Sequence, residues 1–366
     1  MILKFKSEVQ LLNIKNIQTS IEKIPLKTPF ATALRRVENV EFVRVKLTCK
    51  SGEFAYGEAP ATKAITGEDL QSITTSIAVV KNNLLGLELF AALHVLHVSS
   101  IGSSAKAALD MALISLLAEQ NNQTLLEYFG AKDFLPIKTD VTISLNDADT
   151  MLQDAKKAYE NGFDILKVKL GSDINHAVSV TKSLIKELPE AKLLIDANQA
   201  WNLEMSLYYI EAVQGLHVSL IEQPVIADDL ESLKIISHAT EIPILADESV
   251  FTLEDVKKVY ENGCADMINI KLMKCGGLSK AQEILEFARE NDIGCMLGSM
   301  LESPTSISVA YALCFAYRDV IKYVDLDSPL LYKDVPAFLG GFAINRNQIK
   351  PVNPATIDAS KIPILA

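Results

Sequence analysis

The chain changes its hydrophobic rhythm near residue 137. From there to about residue 330, short apolar runs alternate with segments of helical periodicity. The apolar runs are VTISL (141–145), ILKVKL (165–170), KLLID (192–196), SLIEQ (219–223), PILAD (243–247), MINIK (267–271), GCMLGS (294–299) and IKYVDLD (321–327). Helical patterns such as DADTMLQDAKKAYENG and EDVKKVYENG lie between them, and both close on Glu-Asn-Gly, a helix stop. Strands alternating with single helices form βαβ units around a parallel sheet. Eight such units predict a (β/α)8 barrel. A doubly wound open sheet is the structural alternative, but no GxGxxG follows an early strand, so a dinucleotide fold has no support.

Before residue 137 the pattern is α+β. Residues 10–25, 39–48 and 53–58 carry β-branched and apolar runs divided by turn signals such as Lys50-Ser51-Gly52. A helix is expected over 67–85, opened by Thr66-Gly67-Glu68. A second is expected over 104–119, SAKAALDMALISLLAE, with its serine as N-cap.

Composition narrows the class. The chain has 366 residues, 49% hydrophobic and 22% charged, with a net charge of −11. No Lys/Arg stripe stands out, so a nucleic-acid surface is not expected. No run approaches eighteen apolar residues, and MILKFKSEVQ at the start has no apolar leader core. A cytoplasmic protein without a membrane partner is therefore expected. The five cysteines (49, 264, 275, 295 and 314) form no CxxC pair and read as free buried thiols. His94 and His97 share a helix face, where a structural or surface role fits better than metal binding.

The chemistry sits at the strand ends. Lys169, Asp196, Glu222, Asp247, Lys271, Ser299 and Asp325 follow one another at steps of 27, 26, 25, 24, 28 and 26 residues, one βα repeat each. In a parallel barrel these ends meet at one mouth, where active sites form. A single acid there is ordinarily a turn former or an N-cap. Three acids on consecutive strands, flanked by lysines on the strands before and after, form a joint pattern instead. Asp196, Glu222 and Asp247 supply hard oxygen donors suited to Mg2+, and with no Cys or His among them zinc is disfavoured. Such a cation stabilises charge developing on a substrate carboxylate. In DILKVKLG (164–171), strand alternation points Lys167 and Lys169 the same way. Burial, the cation and Lys167 would lower the pKa of Lys169 and fit it as a base; Lys167 would hold the substrate carboxylate. Lys169 and Lys271 would then face one α-carbon from opposite sides. Two opposed bases imply inversion, although the same pair also serves an elimination or a cycloisomerisation.

Taken together, KVK (167–169), IDANQAW (195–201), IEQP (221–224), ADES (246–249) and INIKLMKCGG (268–277) resemble the enolase superfamily, muconate-lactonizing subgroup. Lysine bases working with Mg2+ on an enediolate are the general chemistry of that superfamily, so this part of the reading is inherited from it. The resemblance implies an α/β fold: a modified (β/α)7β TIM barrel (137–330), an α+β N-terminal capping domain with substrate lid loops (1–136), and a C-terminal tail (331–366) packed back on the cap. VTISL becomes the first barrel strand, and the eighth lacks a full helix partner.

Within the subgroup the motifs are most similar to the dipeptide epimerases, of the L-Ala-D/L-Glu type. Asp325 and Asp327, in DLD, would hold a substrate ammonium. Thr142 and Ser299 match substrate-contacting positions, and either could simply bond backbone. Arg35, in the lid PFATALRR (29–36), matches the residue that binds a glutamate side chain, and Pro60–Gly67 forms a second lid loop. The resemblance thus implies a Mg2+-dependent epimerase of Ala-Glu, Ala-Ala or similar dipeptides, homo-oligomeric, with a part in cell wall peptide metabolism. The alternatives are o-succinylbenzoate synthase, N-acylamino-acid racemase or cycloisomerase activity.

Overall fold

The computed structural model describes residues 11–31, 36–334 and 340–352. Eight parallel strands run in sequence order around a nearly closed barrel: Val141–Ile143, Ile165–Lys169, Lys192–Asp196, Val218–Glu222, Ile244–Ala246, Met267–Lys271, Gly294–Gly298 and Ile321–Asp325. These are the eight apolar runs of the sequence, each within a few residues. The seam between the first and last strands is stitched by the Asp140 N–H and the Thr139 hydroxyl, which both donate to the Val324 carbonyl. Helices follow the first seven strands, except that the sixth is followed by a short turn of helix, Leu272–Cys275, before Leu278–Glu290. The eighth is followed only by Ser328–Leu331. Helices Ala148–Glu160 and Leu253–Glu261 end on the two Glu-Asn-Gly signals, with Gly162 and Gly263 at positive φ just beyond them.

The cap is an antiparallel sheet of Ile14–Ala31, Arg36–Cys49 and Phe54–Pro60, with helices Leu70–Leu84, Leu89–Val98 and Ser103–Gln120. Val43, Val45, Leu47 and Cys49 alternate onto its buried face. Helix Ser103–Gln120 is apolar nearly all round, because it lies between the cap sheet and the barrel helix Leu278–Glu290. Two expected helix starts move. Asp69, not the Thr66-Gly67-Glu68 turn, caps Leu70–Leu84, in a capping box with Ser72. Helix Ser103–Gln120 takes no cap from its own serine. Instead, the Glu68 carboxylate reaches across from the preceding loop and accepts the N–H groups of Ser104 (2.7 Å) and Ala105 (3.3 Å).

His97 does not pair with His94. Its Nε2 lies 2.8 Å from Asp110, which also receives the Ser279 N–H at the start of Leu278–Glu290, so the cluster clasps cap to barrel. Tyr332 and Lys333 run along the cap strand at Leu26 and Pro25. The hairpin of Phe342–Asn345 and Gln348–Pro351 pairs with Ile137–Lys138, at the foot of the first barrel strand. All five cysteines are free, four of them buried and Cys275 half-buried. Among the described residues, no helix is long and apolar enough to cross a membrane.

Candidate active site

Strand alternation builds the barrel interior in layers. Ile165, Leu194, Leu220, Leu245, Met267 and Met296 pack together as an apolar plug in the lower barrel. Two residues further along the same strands, still facing inward, stand Lys167, Asp196, Glu222, Asp247, Asn269 and Gly298. Above them the mouth opens into a cleft. Its wall includes Thr142, Lys169, Asp247, Lys271, Ser299, Asp325 and Asp327 from the barrel. Phe30, Thr62, Ala64 and Ile65 close it from the cap, the last three on or beside the short helix Lys63–Thr66.

Ion pairs organise the charged layer. Lys169 Nζ lies 2.5 Å from Asp196 Oδ2, and Lys271 Nζ lies 2.6 Å from Asp247 Oδ2. Lys167, fully buried below the cleft, bridges Asp325 (2.6 Å), Glu222 (2.7 Å) and Asp196 (3.2 Å). It lies outside the cleft's lining residues. Lys274 takes the other oxygen of Asp247 at 2.5 Å. Gly298 gives these side chains room: a Cβ there would meet Asn269 Oδ1 at 2.6 Å and Lys271 Cε at 3.1 Å.

The turn after the third strand is strained. Asn198 and Gln199 both sit at positive φ, and Asp196 Oδ1 accepts the Asn198 N–H at 2.9 Å. Asp196 is therefore a turn former through one oxygen and a partner of lysines through the other.

Burial and neighbouring charge push the titrations in opposite directions. Burial raises Glu222, with Asp196 adding to it, and carries its carboxyl to about 7. Burial would also raise Asp196 and Asp247, but the ammoniums against them win and hold both low. Burial would lower Lys167 and Lys271, but the surrounding carboxylates keep both ammoniums up. Asp327 is lifted to about 6 by burial and by Asp325.

The sequence-predicted residues fall as follows. Thr142 donates its N–H to Asp327 Oδ2 at 2.7 Å. The Ser299 hydroxyl bonds the Asp325 carbonyl at 3.4 Å. Arg35 lies outside the described residues. Five participants went unassigned in the sequence: Asn269, which donates to Glu222 Oε1 at 2.9 Å, Asn198, Lys274, Glu248 and Asp140. Asn198 and Lys274 sit inside quoted motifs, on a turn and a short helix where strand alternation gives no signal.

As the side chains stand, no three carboxyl, imidazole or thiol groups among the described residues lie close enough together to hold a metal. Lysine ammoniums sit against the carboxylates instead. The donor chemistry nevertheless fits a hard divalent cation. Seven carboxyls (140, 196, 222, 247, 248, 325 and 327) are buried here among four lysines (167, 169, 271 and 274), and burial raises Asp140, Glu222 and Glu248 toward the protonated form, protons that a divalent cation would displace. Glu222 Oε2 lies 2.7 Å from Lys167 without hydrogen-bond geometry, and Asn198 Oδ1 and Glu248 Oε2 are likewise buried without a partner.

Comparison with known proteins gives the family and the fold. The family described as Enolase C-terminal domain-like matches residues 150–350, and Mandelate racemase / muconate lactonizing enzyme, N-terminal domain, matches residues 15–130. The chain is 57% identical to the L-amino acid-D/L-Glu epimerase of Sulfurimonas denitrificans, across 93% of this chain and 100% of that protein. Among solved structures it superposes on a substrate-liganded complex of the L-Ala-D/L-Glu epimerase from Bacillus subtilis. There the TM-score is 0.90 and the identity 37%, over 95% of this chain and 98% of that one. It also matches a dipeptide epimerase from Enterococcus faecalis complexed with Mg and L-Leu-L-Tyr, with a TM-score of 0.88 and 31% identity over 94% and 99% of the two chains.

Proposed function

The chain belongs to the mandelate racemase / muconate lactonizing branch of the enolase superfamily and is an isomerase of amino-acid derivatives, and we propose that it epimerises dipeptides at the α-carbon of the second residue. One observation carries the reading: Lys169 and Lys271 line one cleft from the second and sixth of eight barrel strands, diametrically across its mouth. One lysine removes the α-proton and the other returns a proton to the opposite face, which inverts the centre. Asp196, Glu222 and Asp247 are the residues that would hold Mg2+, and the ion would supply Lewis-acid stabilisation of the substrate carboxylate.

Asp325 and Asp327, at the end of the eighth strand, receive the substrate ammonium. Lys167, pinned among three carboxylates, remains protonated and adds fixed positive charge beneath the substrate carboxylate. Thr142 and Ser299 border the peptide. A glutamate second residue is the favoured substrate, in keeping with the relative at 57% identity, and Arg35 is assigned its side-chain carboxylate on the resemblance alone. The cap residues Phe30 and Ile65 exclude water over the reacting carbon.

The test is epimerisation of L-Ala-L-Glu followed by chiral chromatography, with untreated protein, with EDTA-treated protein, and after Mg2+ is restored. L-Ala-D-Glu should form, stop with EDTA and resume with Mg2+. Turnover of N-acylated glutamate with none of the dipeptide would replace this reading with an N-acylamino-acid racemase.

A further inference from the structure

We infer that Lys274 is a positioning residue that fixes Asp247 as a one-oxygen donor for the divalent cation; this rests on the metal reading above. Lys274 follows Lys271 by one helical turn, on Leu272–Cys275, and is 2% exposed. Its ammonium donates to Asp247 Oδ1 (2.5 Å), to the Asp247 carbonyl (2.5 Å) and to the Asn269 carbonyl (2.9 Å). All three of its N–H donors are thus used. It does not line the cleft, so it neither touches substrate nor carries a proton to it.

Asp247 is correspondingly immobilised. Its N–H donates to Gln223 Oε1 at 2.9 Å, and Lys274 spans its carbonyl and Oδ1. Only Oδ2 remains for the cleft, where Lys271 meets it. Two of the three acceptors of Lys274 are backbone carbonyls, so its seat persists when Lys271 turns to substrate. Tying off Oδ1 has a chemical consequence. Mg2+ demands strict octahedral geometry, whereas Ca2+ accepts carboxylates through both oxygens. A carboxylate restricted to one oxygen favours the smaller ion.

The experiment titrates Mg2+ and Ca2+ separately into the full-length wild type, Lys274→Met and Lys274→Arg by calorimetry, without substrate. Circular dichroism checks the fold. Lys274→Met should lose about 10- to 100-fold in Mg2+ affinity, the usual range for groups that orient a metal ligand. Its Ca2+ affinity should fall less, so that the preference for Mg2+ shrinks. Lys274→Arg should recover part of that preference. With saturating Mg2+, kcat for L-Ala-L-Glu in Lys274→Met should fall by a smaller factor than the affinity. A Lys274→Met protein that melts earlier yet binds both ions like the wild type would make Lys274 merely structural and overturn the inference. Should Lys274→Met not fold, Lys274→Gln, which removes the charge and most of the donors, carries the same test: an Mg2+ to Ca2+ preference equal to wild type would overturn it. A wild type that binds no Mg2+ would instead overturn the metal reading itself.

Discussion

Replacing Asp325 with Asn keeps the side chain's shape and removes its charge. Asp325 is 6% exposed, lines the cleft, and holds Lys167 Nζ at 2.6 Å through Oδ2. Lys167 keeps Glu222 and Asp196, so the layer below survives the change. The substrate ammonium loses one of its two carboxylates. Losing one partner of a desolvated charge pair costs about 2–5 kcal/mol, and with Asp327 still in place the low end, about 2–3 kcal/mol, applies. That corresponds to a fall in kcat/KM of about 30- to 150-fold. N-propionyl-L-glutamate is L-Ala-L-Glu without its amino group and provides the control. The assay compares α-proton exchange of both compounds by NMR, in wild type and Asp325→Asn. The dipeptide should lose the predicted factor and the propionyl compound only a few-fold. Equal losses for the two would refute the ammonium assignment.

Other perturbations probe the frame around the cleft. Burial lifts the Glu302 carboxyl to about 7, against the hydrogen bonds it receives from Ser306 and Met300. The folded protein therefore holds this proton between about pH 4.5 and 7 while the unfolded chain releases it. Stability from this group is present below that window and lost as pH rises through it, by about 3 kcal/mol in total. Chemical denaturation of Glu302→Gln should accordingly show a flatter pH profile than wild type from pH 5 to 8. Gly298→Ala places a Cβ 2.6 Å from Asn269 Oδ1 and crowds Lys271, so kcat should drop at least about tenfold while overpacking costs about 1–3 kcal/mol in denaturant titration. Glu68→Ala removes the acceptor for the Ser104 and Ala105 N–H groups and should cost about 1–3 kcal/mol of stability without changing KM.

The barrel was legible because its signals are local and periodic. A strand buried on both faces is a short apolar run, and polar residues intrude only where it reaches the mouth. Alternation alone put Lys167 and Lys169 on one face of their strand, and Ile165, Lys167 and Lys169 do stand one above another inside the barrel. What stayed hidden depends on contacts between distant segments. Glu68 caps a helix 36 residues away, and Asp110 meets Ser279 across 169 residues of chain. Nothing near Ser104 says that a remote carboxylate will displace its hydroxyl as the cap. Lys274 was hidden differently. One turn past a strand-end lysine, it reads as a solvated helix residue, and only the fold turns it inward onto Asp247. Asn269 sits mid-strand in an apolar run, and its partner Glu222 is 47 residues earlier.

The measurement that bears most directly on the central claim is deuterium wash-in from D2O, started separately from L-Ala-L-Glu and L-Ala-D-Glu. Wild type, Lys169→Ala and Lys271→Ala are compared. Wild type should exchange and invert both epimers. Each variant should lose inversion, with exchange falling by at least about 100-fold for one epimer and persisting for the other, and the two variants should differ in which epimer they spare. If one variant abolishes exchange from both epimers while the other leaves inversion intact, a single base does the chemistry and the two-lysine account is wrong.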